Sequence, residues 1–193
     1  MKTFNVAVKG ICPLLQARHP DPDEEAKIAQ RKGSKSTKIK TKALTDDEQF
    51  DMHAYRTSKK KFYQPSEMFE AAMTRAAVNF KMEGKKSYKD VIKGGLIVEP
   101  IEIVHANQKF EMDARWGKNP STGGAVWVVR PRVDDWEMNF SIKLLQDERV
   151  SADVLKDILI YAGLYVGIGS WRPKFGQFEV TKFQEVKEKK SKN

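Results

Sequence analysis

The sequence predicts an α+β protein, built as a βαββαβ plait with one additional strand and a long basic insertion. Two observations carry this prediction. Segments whose apolar residues recur at every second position are interrupted by two segments whose apolar residues recur with the helical period. In addition, 193 residues suffice for one domain of ordinary size, and we therefore expect residues 1–193 to form a single domain.

The first predicted element is a strand over residues 3–9, because Phe4, Val6 and Val8 alternate with polar neighbours. From residue 19 to residue 63 almost no apolar periodicity remains, and charged residues come in blocks. A polar segment of this length cannot offset its ordering entropy by burial, so we expect a mobile charged insertion over 19–63.

Order resumes at Ser66, which can cap an amphipathic helix. The apolar positions of this helix are Phe69, Ala72, Met73, Ala76 and Phe80. A strand rich in isoleucine and valine is predicted over 96–104, and the composition of residues 106–124 is typical of a loop.

The second half of the chain predicts two strands, one helix and a final strand. The two strands cover 125–133 and 136–145, and the second of them has the most regular alternation in the chain. Ser151 caps the second helix, residues 177–183 form the last strand, and the charged end at 186–193 is expected to be a disordered tail. Two helices on one face of an antiparallel sheet would leave the other face free for a ligand.

The charge balance points to a polyanionic partner. The chain has 35 Lys and Arg against 26 Asp and Glu, for a net charge of +9. No apolar run approaches the roughly 18 residues that cross a bilayer, and no secretory signal is recognisable. A single cysteine, Cys12, suits a reducing compartment, and the three histidines lack the spacing of metal ligands. We therefore expect a cytoplasmic protein that has no membrane contact, metal or cofactor.

The densest glycine cluster of the chain, residues 167–176, carries the strongest functional signal. Glycines permit positive φ and close backbone approach, so successive N–H groups can point at one anion. Two basic side chains add charge, and two interleaved aromatic rings can stack on bases. The residues that we assign to nucleic-acid binding in this loop are Gly167, Gly169, Trp171, Arg172, Lys174 and Phe175. The alternative is that the glycines only turn the chain and both aromatic rings belong to the core.

Residues 166–180, VGIGSWRPKFGQFEV, resemble the C-terminal glycine-rich loop of the RAMP superfamily, the repeat-associated proteins that form CRISPR effector backbones and process guide RNA. Residues 62–75 resemble the segment of that family in which an aromatic-X-Pro turn and a serine open the first helix and an arginine follows. Residues 6–15 resemble its first strand and the turn after it.

This resemblance implies a ferredoxin-like, RNA-recognition-motif-like fold whose loops hold an RNA backbone. It implies an insertion that lies over the guide, as the thumb of a CRISPR effector backbone subunit does. The implied partners are single-stranded RNA or DNA, and either copies of the chain itself or other subunits of an effector complex. A stand-alone relative, encoded by a phage or mobile element, is equally consistent with these motifs.

Two basic clusters of the insertion extend the predicted interface. The first contains seven Lys and Arg residues between positions 27 and 42 and could follow a phosphate backbone. The second stands directly before Phe62 and Tyr63, and so combines charge with surface for stacking. The residues that we assign to binding in the insertion are Lys35, Lys38, Lys40, Arg56, Lys59, Lys60 and Lys61. A solvated loop is the alternative for both clusters.

We therefore predict a protein that binds single-stranded nucleic acid, preferably RNA. A protein assembly module, whose insertion and free sheet face contact partner proteins, is one alternative. Ribonuclease activity is another, because some RAMP proteins cleave RNA through an aspartate after the first strand or through a histidine, and His19, Asp21 and Asp23 lie in the corresponding loop. The same spacing is typical of a solvated acidic turn, and on balance we do not predict an enzyme.

Overall fold

The computed structural model combines helices with antiparallel sheets, which confirms the predicted α+β class. The residues that it describes are 1–24, 44–118, 123–145 and 149–186. Three predicted binding residues of the insertion, Lys35, Lys38 and Lys40, and the tail from 187 onward lie outside the described residues.

Helices stand between groups of strands along the chain, and five strands follow one another from residue 96 to residue 144. The strands are β1 (Lys2–Gly10), β2 (Leu14–Leu15), β3 (Tyr63–Pro65), β4 (Leu96–Glu99), β5 (Glu102–Val104), β6 (Glu111–Lys118), β7 (Ala125–Val133), β8 (Glu137–Leu144) and β9 (Phe178–Glu185). The α-helices are α1 (Asp46–His53), α2 (Ser66–Ala76), α3 (Lys89–Gly95) and α4 (Ala152–Tyr161). A 3₁₀ turn, Ala77–Asn79, follows α2, and a π-helical turn, Ala162–Val166, follows α4. Across these four ranges no helix has the length and apolarity that a bilayer crossing requires.

The main sheet has four strands in the order β4-β8-β1-β9, and all neighbours are antiparallel. One face of this sheet forms the core, because Phe4, Val6 and Val8 of β1 are almost completely buried, as their alternation predicts. Helices α2 and α4 contribute to the same core, and the ring centroid of Phe69 in α2 lies 4.4 Å from that of Phe140 in β8.

The other face of the main sheet is polar. Asn5, Asn139 and Lys9 are exposed on it, and several of its charged side chains pair with each other. Lys9 lies 3.5 Å from Glu137, for example, and aromatic rings are missing from the positions of this face that the structure describes. This face can therefore not offer a stacking platform for bases.

Two predictions on strands were wrong. The loop predicted over 106–124 contains strand β6, which pairs with β7 over its whole length, because residues 111–118 alternate, with Gly117 inside the strand, and Pro120, Gly123 and Gly124 come after it in the sequence. The single strand predicted over 96–104 is divided at Pro100, which has no N–H to donate to a ladder. As a result β4 pairs with β8, and β5 pairs with β3 in a separate sheet.

Helix α1 lies within the segment 19–63, where the lack of apolar periodicity predicted no regular element. A capping box fixes its start, since Thr45 accepts a hydrogen bond from the N–H of Glu48 and Glu48 accepts one from the N–H of Thr45. None of its residues is buried, and His53 Nδ1 reaches the carbonyl oxygen of Val129 in β7 at 2.7 Å. Hydrogen bonds rather than an apolar face therefore position this helix, and the mobility of the insertion stays a prediction.

The π-helical turn packs closely on β9 at Gly163. A Cβ atom at Gly163 would lie 2.2 Å from the carbonyl oxygen of Phe178, whereas one at Gly94 in α3 would meet no atom within 4 Å. We expect Gly163→Ala to lower the free energy of unfolding by about 1–3 kcal/mol through overpacking. Gly94→Ala should leave it unchanged or raise it by up to about 1 kcal/mol. Equilibrium urea denaturation measures both, and equal effects would contradict this packing.

The buried side chain of His105 makes the free energy of unfolding depend on pH. His105 is 2% exposed, its ring makes an edge contact with Phe110 at 5.1 Å, and burial lowers its pKa to about 4. Neither ring nitrogen has a hydrogen-bond partner in the described parts of the chain. The neutral ring is therefore the form that the fold accepts.

We expect the contribution of His105 to be complete above pH 6.5, the unfolded-state pKa, and to be lost as the pH falls towards 4. The free energy of unfolding should fall by about 3 kcal/mol, because the pKa is lowered from 6.5 to about 4 and one pKa unit corresponds to about 1.4 kcal/mol. Urea denaturation at several pH values in this range gives the free energy of unfolding as a function of pH. This free energy should fall less steeply with falling pH in His105→Leu than in the unmodified protein. Parallel slopes would contradict a neutral buried imidazole.

Candidate nucleic-acid interface

The glycine-rich loop, residues 167–176, turns the chain from α4 back into β9. Gly169 and Gly176 have φ values of +77° and +74°, which side chains with a Cβ rarely adopt. A Cβ at Gly169 would lie 2.5 Å from the carbonyl oxygen of Leu15, and one at Gly176 would lie 1.8 Å from that of Ile168. These glycines therefore let the loop contact itself and the segment after β1.

Much of the loop backbone is already hydrogen-bonded within the protein. The N–H of Ile168 donates to the carbonyl of Gly176 at 2.9 Å, that of Ser170 to Leu15 at 2.8 Å, and that of Gly176 to Pro13 at 2.9 Å. The expected row of successive N–H groups aimed at one anion is therefore interrupted. The reason is that a loop packed this closely must satisfy its own backbone before it can bind a ligand.

Trp171 and Phe175 fasten the loop to the hairpin β6–β7. The guanidinium carbon of Arg115 lies 5.0 Å from the ring centroid of Trp171 and 5.2 Å from that of Phe175. That of Arg130 lies 4.6 Å from Trp171, so the indole contacts two cations. Phe175 is 7% exposed, and in this position its ring supports the loop.

The hairpin carries an excess of positive charge at this contact. Asp113 in β6 is buried and forms a short bidentate pair with Arg115, and the Arg132 Nη1 lies 3.7 Å from the same carboxylate. Arg130 is the register partner of Asp113, but no described residue accepts a hydrogen bond from its enclosed Nε and Nη1 atoms. Burial lowers the pKa of Arg130, Asp113 acts in the opposite direction, and Arg115 lowers it further.

Arg172 and Lys174 lie on the outer part of the loop. Lys174 is exposed, and Arg172 is half-buried. The pKa of Arg172 is lowered first by burial and then by the positive charge of Arg75, in the last turn of α2. The half-buried guanidinium of Arg172, which the exposed Arg75 also repels, would gain from an anion bound beside it.

The predicted basic residues before β3 form a separate surface. The Arg56 Nη2 donates to Asp51 at 2.8 Å, and its guanidinium carbon lies 4.6 Å from the ring centroid of Phe62. Lys59, Lys60 and Lys61 are exposed on a tight turn, in which the N–H of Lys60 donates to Thr57 at 2.8 Å. In the ranges that the structure covers, hydrogen bonds and ring contacts do not join this turn to the glycine-rich loop.

The prediction that Phe62 offers a stacking surface beside these lysines was wrong. Its side chain is 8% exposed and stacks on Phe110 with centroids 4.0 Å apart. An aromatic ring that follows a run of lysines in the sequence is in this case part of the core. The ring of Phe62 is therefore not available for stacking beside the charges of Lys59–Lys61.

The residues considered for catalysis lie in a turn that they stabilise themselves. Asp21 Oδ1 accepts a hydrogen bond from the N–H of Glu24 at 3.0 Å, and the Glu24 carboxylate pairs with Arg18 at 2.6 Å. His19 and Asp23 are exposed. Within the described ranges no group of three or more His, Cys, Asp or Glu side chains is arranged to hold a metal ion.

Sequence reasoning missed Arg115 and Arg130 as parts of this interface and did not assign Arg75 to it. A signal for Arg115 was available, since Glu111, Asp113 and Arg115 alternate with apolar neighbours as in a strand with one charged face. The contact between this face and Trp171 was not available, because it joins segments more than 40 residues apart.

The fold and this interface together define an α+β protein in which a glycine-rich loop and a charged hairpin gather several arginines. The chain matches no protein-family model and no curated protein. Its fold is similar to one chain of the cryo-EM structure of the Type III-B Cmr-beta bound to cognate target RNA, with a TM-score of 0.59 and 10% sequence identity. The match covers 96% of this chain and 61% of that chain, and at this identity it concerns the fold alone.

The cation contacts of Trp171 can be tested against another tryptophan. Trp171→Ala removes a half-buried ring between two guanidinium groups, and we expect it to lower the free energy of unfolding by about 2 kcal/mol. Trp116 is 68% exposed, and Trp116→Ala should lower it by less than about 1 kcal/mol. Equilibrium denaturation of both variants gives the comparison. Losses of equal size would argue against a structural contact between the loop and the hairpin.

Proposed function

We propose that this chain binds single-stranded RNA through the outer side of its glycine-rich loop, as a RAMP-like protein. The observation that carries the proposal is the half-buried Arg172, whose pKa is lowered by burial and by the charge of the exposed Arg75, together with the exposed Lys174 of the same loop. Among the described residues none forms an ion pair with these three side chains. A phosphate would supply the missing negative charge.

The architecture is consistent with this proposal. We interpret the sheet order β4-β8-β1-β9, with α2 and α4 in one core, as the ferredoxin-like βαββαβ plait. In this interpretation the hairpin β6–β7 is an insertion between the second and third strands of the plait. The fold similarity to a chain of an RNA-bound complex supports an RNA ligand, and the polar free face of the sheet directs attention to the loops.

The basic turn with Lys59, Lys60 and Lys61 is a second contact in this proposal. Its three ammonium groups are exposed, and each can release a counterion when it meets a phosphate. Arg56 contributes less, because Asp51 and the Phe62 ring already occupy its guanidinium. We infer that the turn strengthens binding electrostatically while the loop positions the strand.

A second candidate function is a protein assembly module, and one observation favours it. On one face of β6, Trp116 is 68% and Met112 47% exposed, which is unusual for side chains of this size. Such a face could contact copies of the same chain or other subunits of an effector complex. This candidate does not explain why Arg172 and Arg75 have no ion pair among the residues that the structure describes.

Removal of Arg172 and Lys174 tests the RNA interface. In Arg172→Ala/Lys174→Ala we expect weaker binding of a labelled oligouridine and a salt dependence whose log–log slope falls by about one to two, because two phosphate contacts are lost. Filter binding across a salt series gives both quantities.

A variant with the same loss of charge elsewhere serves as the control. Lys2→Ala/Lys143→Ala removes two ammonium groups at the N-terminal end of β1, whereas the loop bonds to the segment after its other end. This control should keep the original slope within error. If both double variants lost affinity equally, net charge alone would explain binding, and the loop would not be the site.

A further inference from the structure

A groove lies between α1, the hairpin β6–β7 and the glycine-rich loop, apart from the phosphate contacts proposed above. Its volume is about 390 Å³, within the range of roughly 300–1,000 Å³ that holds small ligands. The lining residues that matter here are Gln49 and His53 of α1, Lys118, Trp127 and Arg130 of the hairpin, and Trp171 of the loop. Aromatic, cationic and hydrogen-bonding groups therefore meet in one concave place.

Trp127 provides the groove with an oriented aromatic surface. Its side chain is 38% exposed, and its Nε1–H donates to the Asp46 Oδ1 at 3.0 Å, which fixes the indole relative to α1. The ring also makes an edge contact with Trp116, with centroids 5.5 Å apart. A large ring that is held in place yet partly exposed loses little entropy when a flat ligand stacks on it.

His53 provides an acceptor. Its Nδ1 lies 2.7 Å from the carbonyl oxygen of Val129, and because a carbonyl can only accept, the proton is on Nδ1. Burial, together with the charges of Arg130, His19 and Arg18, lowers the pKa of this imidazole. The ring is therefore neutral at neutral pH, and Nε2 is left as an acceptor.

Lys118 and Arg130 provide positive charge. The Arg130 guanidinium is held over the Trp171 ring at 4.6 Å, and no described residue accepts hydrogen bonds from its Nε and Nη1 atoms. Its register partner Asp113 is already shared between Arg115 and Arg132. A ligand that brings an anionic group close to this wall would offset the remaining charge of Arg130.

We propose that this groove binds a single nucleobase, stacked on Trp127, with its polar edge facing His53 and Arg130. The nucleobase is the ligand class that combines a flat ring with donors and acceptors along its edge and a phosphate nearby. The inference deepens the proposed function and rests on it for the source of the base, which would be one base of the bound strand.

The experiment uses 2-aminopurine, whose fluorescence falls when the ring stacks. The probes are oligouridines in which one position at a time carries 2-aminopurine, and free 2-aminopurine riboside 5′-monophosphate. Titration of the full-length protein should quench one position of the strand much more than the others. Trp127→Ala should abolish this quenching and weaken binding of the free nucleotide about tenfold, the usual size of one base–aromatic stack.

Two variants separate stacking from folding. Trp127→Phe keeps an aromatic ring at the groove and should retain the quenching. Tyr165→Ala removes another aromatic ring, which is 63% exposed and does not line the groove, and should retain it as well. If Trp127→Phe behaves as Trp127→Ala does, or if Tyr165→Ala loses the signal too, stacking on Trp127 is not the cause and the proposal is overturned.

The two probes also separate this proposal from the function on which it rests. A strand that binds in a salt-dependent manner, but whose quenching is uniform along its positions or unchanged in Trp127→Ala, overturns the groove and leaves RNA binding intact. Absence of strand binding, with Trp127-dependent quenching of the free nucleotide, overturns RNA binding and supports a nucleobase site for a free nucleotide. Absence of both signals overturns both.

Discussion

The segment that leaves β1 is the constraint on which the rest of the structure depends. Within a few residues it bonds to three parts of the chain: Pro13 and Leu15 accept hydrogen bonds from the glycine-rich loop, and Leu14 pairs with Val133 at the base of the hairpin. Gln16 is completely buried, and its side chain bonds to the backbone of Tyr55 and Tyr63. The loop, the hairpin and the end of the insertion are therefore all hydrogen-bonded to the same short segment at the end of the central strand.

This arrangement explains why the positive charges collect where they do. The glycines bring the loop so close to the β1 turn that its aromatic side chains meet the charged face of the hairpin. One buried carboxylate, Asp113, serves two arginines, while Arg130 is covered by an indole. Partly desolvated cations of this kind are costly in the isolated protein, and the polyanionic ligand that we propose would offset the cost.

The sequence predicted the elements that have one buried and one solvated face. Strands β1 and β8 and helices α2 and α4 have apolar residues with the proper period, and they lie where this pattern places them. Helix α1 could not be found in this way, because it buries no residue and depends on the Thr45 capping box and on bonds to β7. Strand β6 was obscured by the glycines and the proline that follow it.

The candidate site was predictable in its residue types and only partly in its geometry. Glycines, a tryptophan and basic residues at 167–176 indicated a binding loop, but not that Phe175 would be buried or that part of the backbone would be hydrogen-bonded internally. Arg115 and Arg130 reach the loop through a contact distant in sequence, which no local pattern encodes.

Helix α1 has a further consequence, since few polar contacts hold it to β7 and it can unfold locally at less cost than the strand beside it. One wall of the groove is therefore the part of the site whose amide hydrogens should exchange most readily, and an occupant bridging both walls would slow that exchange.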